Sequence, residues 1–111
     1  MIVIRGVCPA NTPRSNPYRL RRVVPFTTIK RVHIISYEGS DELLHVRMLR
    51  GSAYWIPDDG SWIPLAGVSI VLEERRKIDR EPNTIFVEAY NEDTVNDHAF
   101  VIILEEEGDA G

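Results

Sequence analysis

Three histidines, one cysteine and a cluster of loop carboxylates are the residues of this 111-residue chain whose types could do chemistry. His33, His45 and His98 would bind zinc or iron if their imidazoles converged. No two of them stand at the close spacing of a ligand pair, so each reads as an ordinary surface or edge histidine. Cys8 would act as a nucleophile beside a histidine and an acid. It sits next to Pro9, away from any rigid scaffold that would fix attack geometry, and reads as a buried thiol. Asn91, Glu92, Asp93, Asn96 and Asp97 offer the oxygen ligands calcium takes, but without the glycine and distal glutamate of an EF-hand they read as a solvated acidic loop. Glu73, Glu88 and Asp93 would serve glycoside hydrolysis only if folding set two of them at the required separation. Neither Asp59-Gly60-Ser61 nor Leu65-Ala66-Gly67 has the spacing of a phosphate-binding loop. With no coherent constellation, the chain is expected to be non-enzymatic, with no catalytic residue, metal or cofactor.

The elements that must position these residues read as strands. Met1–Val7 forms a short one, and Thr27–Tyr37 is rich in β-branched residues. Glu42–Arg50 alternates Leu44, Val46 and Met48 with His45 and Arg47; Ser40 and Gly51 would also bound a helix there, and the period-two alternation favours a strand. Trp55-Ile56-Pro57 and Trp62-Ile63-Pro64 flank Asp59-Gly60, a hairpin signal, and with Tyr54 the two tryptophans make a candidate aromatic patch. Val68–Leu72 and Ile85–Ala89 alternate again. His98–Leu104 is apolar on both faces, which predicts an interior strand of a sheet. Strands at this spacing predict an all-β fold, a small jelly-roll-like β-sandwich of seven to eight strands.

Charge divides the chain. Residues 1–37 hold seven basic residues and no acid, while residues 38–111 hold all 17 acids and the other six bases: +7 against −11 within a net charge of −4. Pro9, Pro13, Pro17 and Pro25 stiffen the basic part. Residues 1–26 are therefore expected to form an extended basic N-terminal arm, 27–107 the sandwich body and 108–111 a flexible acidic tail. Extended at 3.3–3.6 Å per residue, the stretch 8–25 would reach about 60 Å. Such an arm would lie across the acidic face of a neighbouring copy, steered by charge and anchored by apolar side chains. Its candidate partner-binding residues are Arg14, Tyr18, Arg19, Leu20, Arg21, Arg22, Val24 and Phe26. Nucleic acid is the alternative partner, through phosphate contacts to the same arginines, although the acidic body and a pI near 5.3 oppose it. The longest unbroken apolar run, Ala99–Leu104, is far shorter than the ~20 residues of a spanning helix, so no membrane association is expected.

Two resemblances add to this. The strand before Gly51, the Asp59-Gly60 turn, Leu65-Ala66-Gly67 and the next strand resemble the central repeat of the cupin-type jelly roll over about 40 residues, a likeness of architecture rather than of chemistry. The pair of metal-binding histidines that a cupin carries before that glycine is absent, with His45 standing alone, so cupin metal chemistry is not implied; a small ligand-binding or enzymatic cupin-like domain is the remaining alternative. Small β-sandwiches with extended arms also resemble minor capsid, cement and tail-attachment proteins of viral and phage particles. That resemblance implies homo-oligomers or other particle proteins as partners and a place in the virion, with the cytoplasm as the setting otherwise.

Overall fold

The computed structural model describes residues 1–108 and contains no helix among them. Ten strands form: β1 (Ile2–Cys8), β2 (Tyr18–Val23), β3 (Thr27–Ser36), β4 (Leu44–Arg50), β5 (Ala53–Ile56), β6 (Ile63–Leu65), β7 (Ser69–Leu72), β8 (Arg76–Ile78), β9 (Thr84–Asn91) and β10 (His98–Glu106). They make two antiparallel sheets. One has the order β1-β10-β3-β7, with β8 also on β3; the other has the order β2-β9-β4-β5, with β6 also on β4. The pairing is nested: first strand with last, second with second-to-last, and inward to the β4–β5 turn. Because β5 and β6 share one position and β7 and β8 another, ten strands occupy the eight places of a jelly roll. The expected sandwich is therefore observed, with a larger strand count because two places are filled by broken strands.

Alternation builds the core. Ile2 and Ile4, Val32 and Ile34, Leu44, Val46 and Met48, Ile85, Val87 and Ala89, and Phe100, Ile102 and Leu104 all point between the sheets and are buried. Each fully buried aliphatic side chain contributes roughly 2 kcal/mol of transfer free energy. Segment 42–50, open between strand and helix from sequence, is strand from Leu44 onward.

Two expectations are corrected. First, residues 1–26 are not an arm separate from the body. Tyr18–Val23 pairs along its whole length with Thr84–Ala89 of β9, and β1 pairs with β10. Proline-imposed extension is also the geometry of a strand, and an edge place such as that of β2 needs only half of its backbone groups paired. The scattered apolar residues of the arm were a period-two signal: Tyr18 and Leu20 pack against the core, and Val24 is buried within it. Second, Trp55-Ile56 and Ile63 do not face each other across a hairpin. β5 and β6 both pair with β4, Met48–Arg50 taking β5 and Leu44–Val46 taking β6. Asp59-Gly60 still turns the chain, with Gly60 at φ +78° donating to the Pro57 carbonyl. β10 runs on through Glu105 and Glu106, inside the expected body. Of the tail expected at 108–111, all but Gly108 lies outside the described residues.

Candidate functional site

The outward row Arg19–Glu88–Arg47 crosses β2, β9 and β4 at one register. Arg47 Nε donates to Glu88 Oε1 at 3.0 Å, and Arg19 Nε lies 3.5 Å from Glu88 Oε2. The Arg47 guanidinium stands 4.0 Å over the Trp62 ring and 4.9 Å from that of Tyr54, and its Nη1 donates to the Gly60 carbonyl at 2.9 Å. Arg19 covers the Phe86 ring at 4.3 Å. One row further along, Tyr90 stacks on His45 at 4.3 Å, with Trp62 edge-on to Tyr90 at 4.7 Å. Cation–π and offset aromatic contacts of this kind hold planar groups in fixed registry. The result is a stiff polar ladder of alternating rings, guanidiniums and one carboxylate on the outer face of the β2 sheet, with the 57–62 loop folded down onto it. Burial, with the Glu92 charge adding to it, raises the Tyr90 phenol above its ordinary pKa, so the ring remains a neutral stacking surface.

Of the predicted aromatic patch, Tyr54 and Trp62 belong to this ladder, whereas Trp55 points inward and is buried. Of the predicted partner-binding residues, Arg14, Arg19, Arg21, Arg22 and Phe26 are exposed. Tyr18 and Leu20 are half-buried against the core, and Val24 is inaccessible, because the strand turns alternate side chains inward. Sequence reading missed His45, Arg47, Glu88 and Tyr90 as a group. Their signal was alternation with Val46, Met48, Val87 and Ala89; which strands lie side by side was not visible.

The other candidate groups disperse. His33 pairs with Glu105 at 2.9 Å on the outer face of the β1 sheet, His45 lies on the opposite sheet, and His98 pairs with Asp93 at 2.9 Å at one end of the sandwich. Among the described residues no three histidine, cysteine or acidic side chains gather as metal ligands. Glu73 meets Arg31, Glu88 meets Arg47 and Asp93 meets His98, so the three carboxylates are not brought together. Cys8 is fully buried opposite His98 in the β1–β10 ladder, and burial raises its thiol pKa, the reverse of what activates a nucleophile.

The loop oxygens are consumed internally. Asp93 Oδ1 accepts from the Val95 and Asn96 backbone N–H groups, Asn91 Oδ1 from that of Asp93, and Asp97 Oδ1 from that of Ala10. Asn91 Nδ2 donates to the Cys8 and Asn96 carbonyls. The 91–97 loop is thus a latch over the β1–β2 connection. The two backbone N–H groups, then His98, hold the Asp93 carboxyl far below the ordinary carboxylate range. A depressed folded-state pKa means that the unfolded chain binds the proton more readily. The stabilisation is complete above the ordinary value, around pH 4, and is lost as pH falls through the folded one. Asp93→Asn is therefore expected to lower the urea midpoint at pH 7, and the gap to wild type is expected to close progressively below about pH 4. A gap that stays constant with pH would show that the latch does not depend on the Asp93 charge.

Fold and surface together define a small all-β jelly-roll sandwich with one polar, ladder-covered outer face and a basic edge. No known protein family, curated protein or solved structure matches the chain.

Proposed function

We propose that this chain is a non-enzymatic assembly protein that joins neighbouring subunits through the basic edge formed by β2 and its flanking turns. One observation carries this reading. Among the described residues Arg5, Arg14 and Arg21 make no ion pair, and Arg22 reaches only the Val3 carbonyl, at 3.5 Å, in a chain with 17 acids. Lys30, Arg31, Arg47, Arg75 and Arg76, by contrast, all pair with carboxylates. Arg14, Arg21 and Arg22 stand along β2 and the turn before it, beside the exposed apolar side chains of Val23 and Phe26, whereas Arg5 lies on β1, and Arg50 and Arg80, also outside any ion pair, lie on β4 and in the turn before β9. Like charge along β2 discourages two such edges from pairing with each other and favours an acidic surface of another subunit. A basic edge on an acidic face elsewhere is a head-to-tail contact, which closes into rings or extends into lattices. The docking element is then a fixed strand edge rather than a loose strap. By likeness of architecture, the setting of this activity is a viral or phage particle, as a minor capsid, cement or tail-attachment component.

The test is the solution mass of the chain across concentration and salt, with an Arg14→Glu/Arg21→Glu/Arg22→Glu variant alongside. At low salt the wild-type mass is expected to grow with concentration and to shrink as salt screens the contact, while the mass of the variant does not respond to salt. A wild-type mass independent of salt would overturn the reading. Salt-sensitive retention of short DNA or RNA, lost in the variant, would replace it with nucleic-acid binding.

A further inference from the structure

We infer that the outer face of the β1 sheet is a self-association surface, covered in solution by the same face of a second copy. The two outer faces of the sandwich are chemically opposite. On the β2 sheet, Arg19, Arg21, His45, Arg47, Glu88 and Tyr90 face outward, as an antiparallel sheet with one wet face requires. On the β1 sheet the outward rows are Val3–Ile103–His33–Val71, then Arg5–Val101–Ile35–Ser69, then Val7–Ala99. Most of these positions are apolar where alternation calls for polar residues. β10 has the composition of a strand buried on both faces, yet within one copy only one of its faces is covered. Val7 is 52% exposed and Val71 50% exposed, and a depression of about 410 Å³ opens between Arg5, Val7, Tyr18, Tyr37 and Val101.

Size and charge identify the occupant. Four strands about 4.8 Å apart and some seven residues long give a footprint of about 450 Å² before side-chain relief is counted. Doubled across two copies and with relief included, the buried surface reaches the lower range of stable interfaces, about 1,200 Å². The charges at the margin of this face largely cancel: Lys30, Arg31 and His33 surround Glu105, and Arg31 also meets Glu73. Arg5, exposed at the margin, is the one cation of the outward rows without an ion pair, so an identical face meets a smaller like-charge barrier than two arginine-rich β2 edges would. Sheet-on-sheet packing at about 10 Å is also the arrangement the chain uses internally. A two-fold contact of this kind stops at a dimer. It uses a different surface from the basic edge and does not rest on that proposal.

Sedimentation equilibrium in 0.5 M salt, where the charge-steered contact is screened, separates the two. The wild type is expected at twice the 12.7 kDa chain mass. Val101→Lys is expected to weaken the dimer at least about a hundredfold, because an ammonium carried into an apolar interface loses solvation it cannot replace. Arg21→Glu is expected to leave the dimer intact. Circular dichroism checks the fold of each variant, and Val71→Lys, at an exposed position on the sheet edge, serves as the second disrupting variant. A wild type that is monomeric at about 100 μM, well above a micromolar dissociation constant, overturns the inference. So does a folded Val101→Lys or Val71→Lys chain that dimerises as tightly as wild type.

Discussion

Replacing Arg47 with alanine is expected to lower the unfolding free energy by about 3 kcal/mol or more, the range seen when one partner of a buried ion pair is removed. The Glu88 side chain is only 10% exposed and that of Arg47 17%, so the carboxylate left behind cannot turn to bulk water. Its remaining partner is Arg19, 49% exposed and 3.5 Å away, whose attraction solvent screens. The same truncation frees the Gly60 carbonyl and uncovers one face of Trp62, so the 57–62 loop loses its tie to the sheet. The near-ultraviolet circular dichroism of Trp62 is expected to weaken along with stability. Glu88→Gln, which keeps a hydrogen-bond acceptor facing Arg47, is expected to cost less. The paired change Arg47→Met/Glu88→Leu is expected to recover most of the loss, since apolar groups of similar size need no counter-charge. Urea unfolding of wild type, Arg47→Met, Glu88→Leu and the double variant closes the cycle and gives the coupling energy. A double variant as unstable as Arg47→Ala would assign the loss to packing around the arginine rather than to the stranded carboxylate.

This ladder also marks the boundary of what the chain reveals before it folds. Strand identity was readable wherever side chains alternate in type: Leu44 to Met48 and Ile85 to Ala89 declare their inward faces, and Thr27–Tyr37 its β-branched character. The sandwich followed from the rhythm of those strands. Tyr18 and Leu20 alternate with Arg19 and Arg21 in the same way, but the arginines and the flanking Pro17 and Pro25 fit a free arm equally well. Proline next to a strand marks an edge position as readily as it marks a linker, and only the partner strand decides which. Register was not readable at all. That Glu88 lies level with both Arg19 and Arg47 depends on β2 and β4 flanking β9, a contact between segments some 40 to 70 positions apart in sequence. The Asp59-Gly60 turn misled for a related reason: a turn signal fixes the local reversal, while whether the flanking segments pair with each other or with a third strand is settled by donors that Pro57 and Pro64 lack. The apolar outer face was half-visible, since the run from His98 to Leu104 declared two apolar sides without saying that one of them would face out of the sandwich.

Gly6→Ala is expected to destabilise the chain by about 2 kcal/mol, in the range for overpacking a filled core. Gly6 carries no positive φ, so its role is space rather than backbone freedom. A Cβ there would stand 2.6 Å from Phe100 Cζ and 2.8 Å from Leu20 Cδ1. These two side chains come from different sheets, and they meet over Gly6 at the open margin where β1 and β2 lie side by side. Leu20 is half-buried and has room to rotate outward, but Phe100 is fully enclosed at the centre of its sheet and does not. The missing side chain is thus what lets the second strand of the jelly roll close over the first, and it ties the basic edge to the core. If that is the reason for the glycine, shrinking the enclosed neighbour should rescue it. In a Phe100→Leu background, which itself costs stability, Gly6→Ala is expected to cost about 1 kcal/mol less than in wild type, a favourable coupling between touching residues. The Leu20→Ala background should relieve less, because the closer clash is with the ring. Equal costs in all three backgrounds would locate the strain in the β1 backbone instead. A Gly6→Ala chain that keeps its stability while β2 becomes protease-sensitive would show that the edge strand, rather than the core, had yielded.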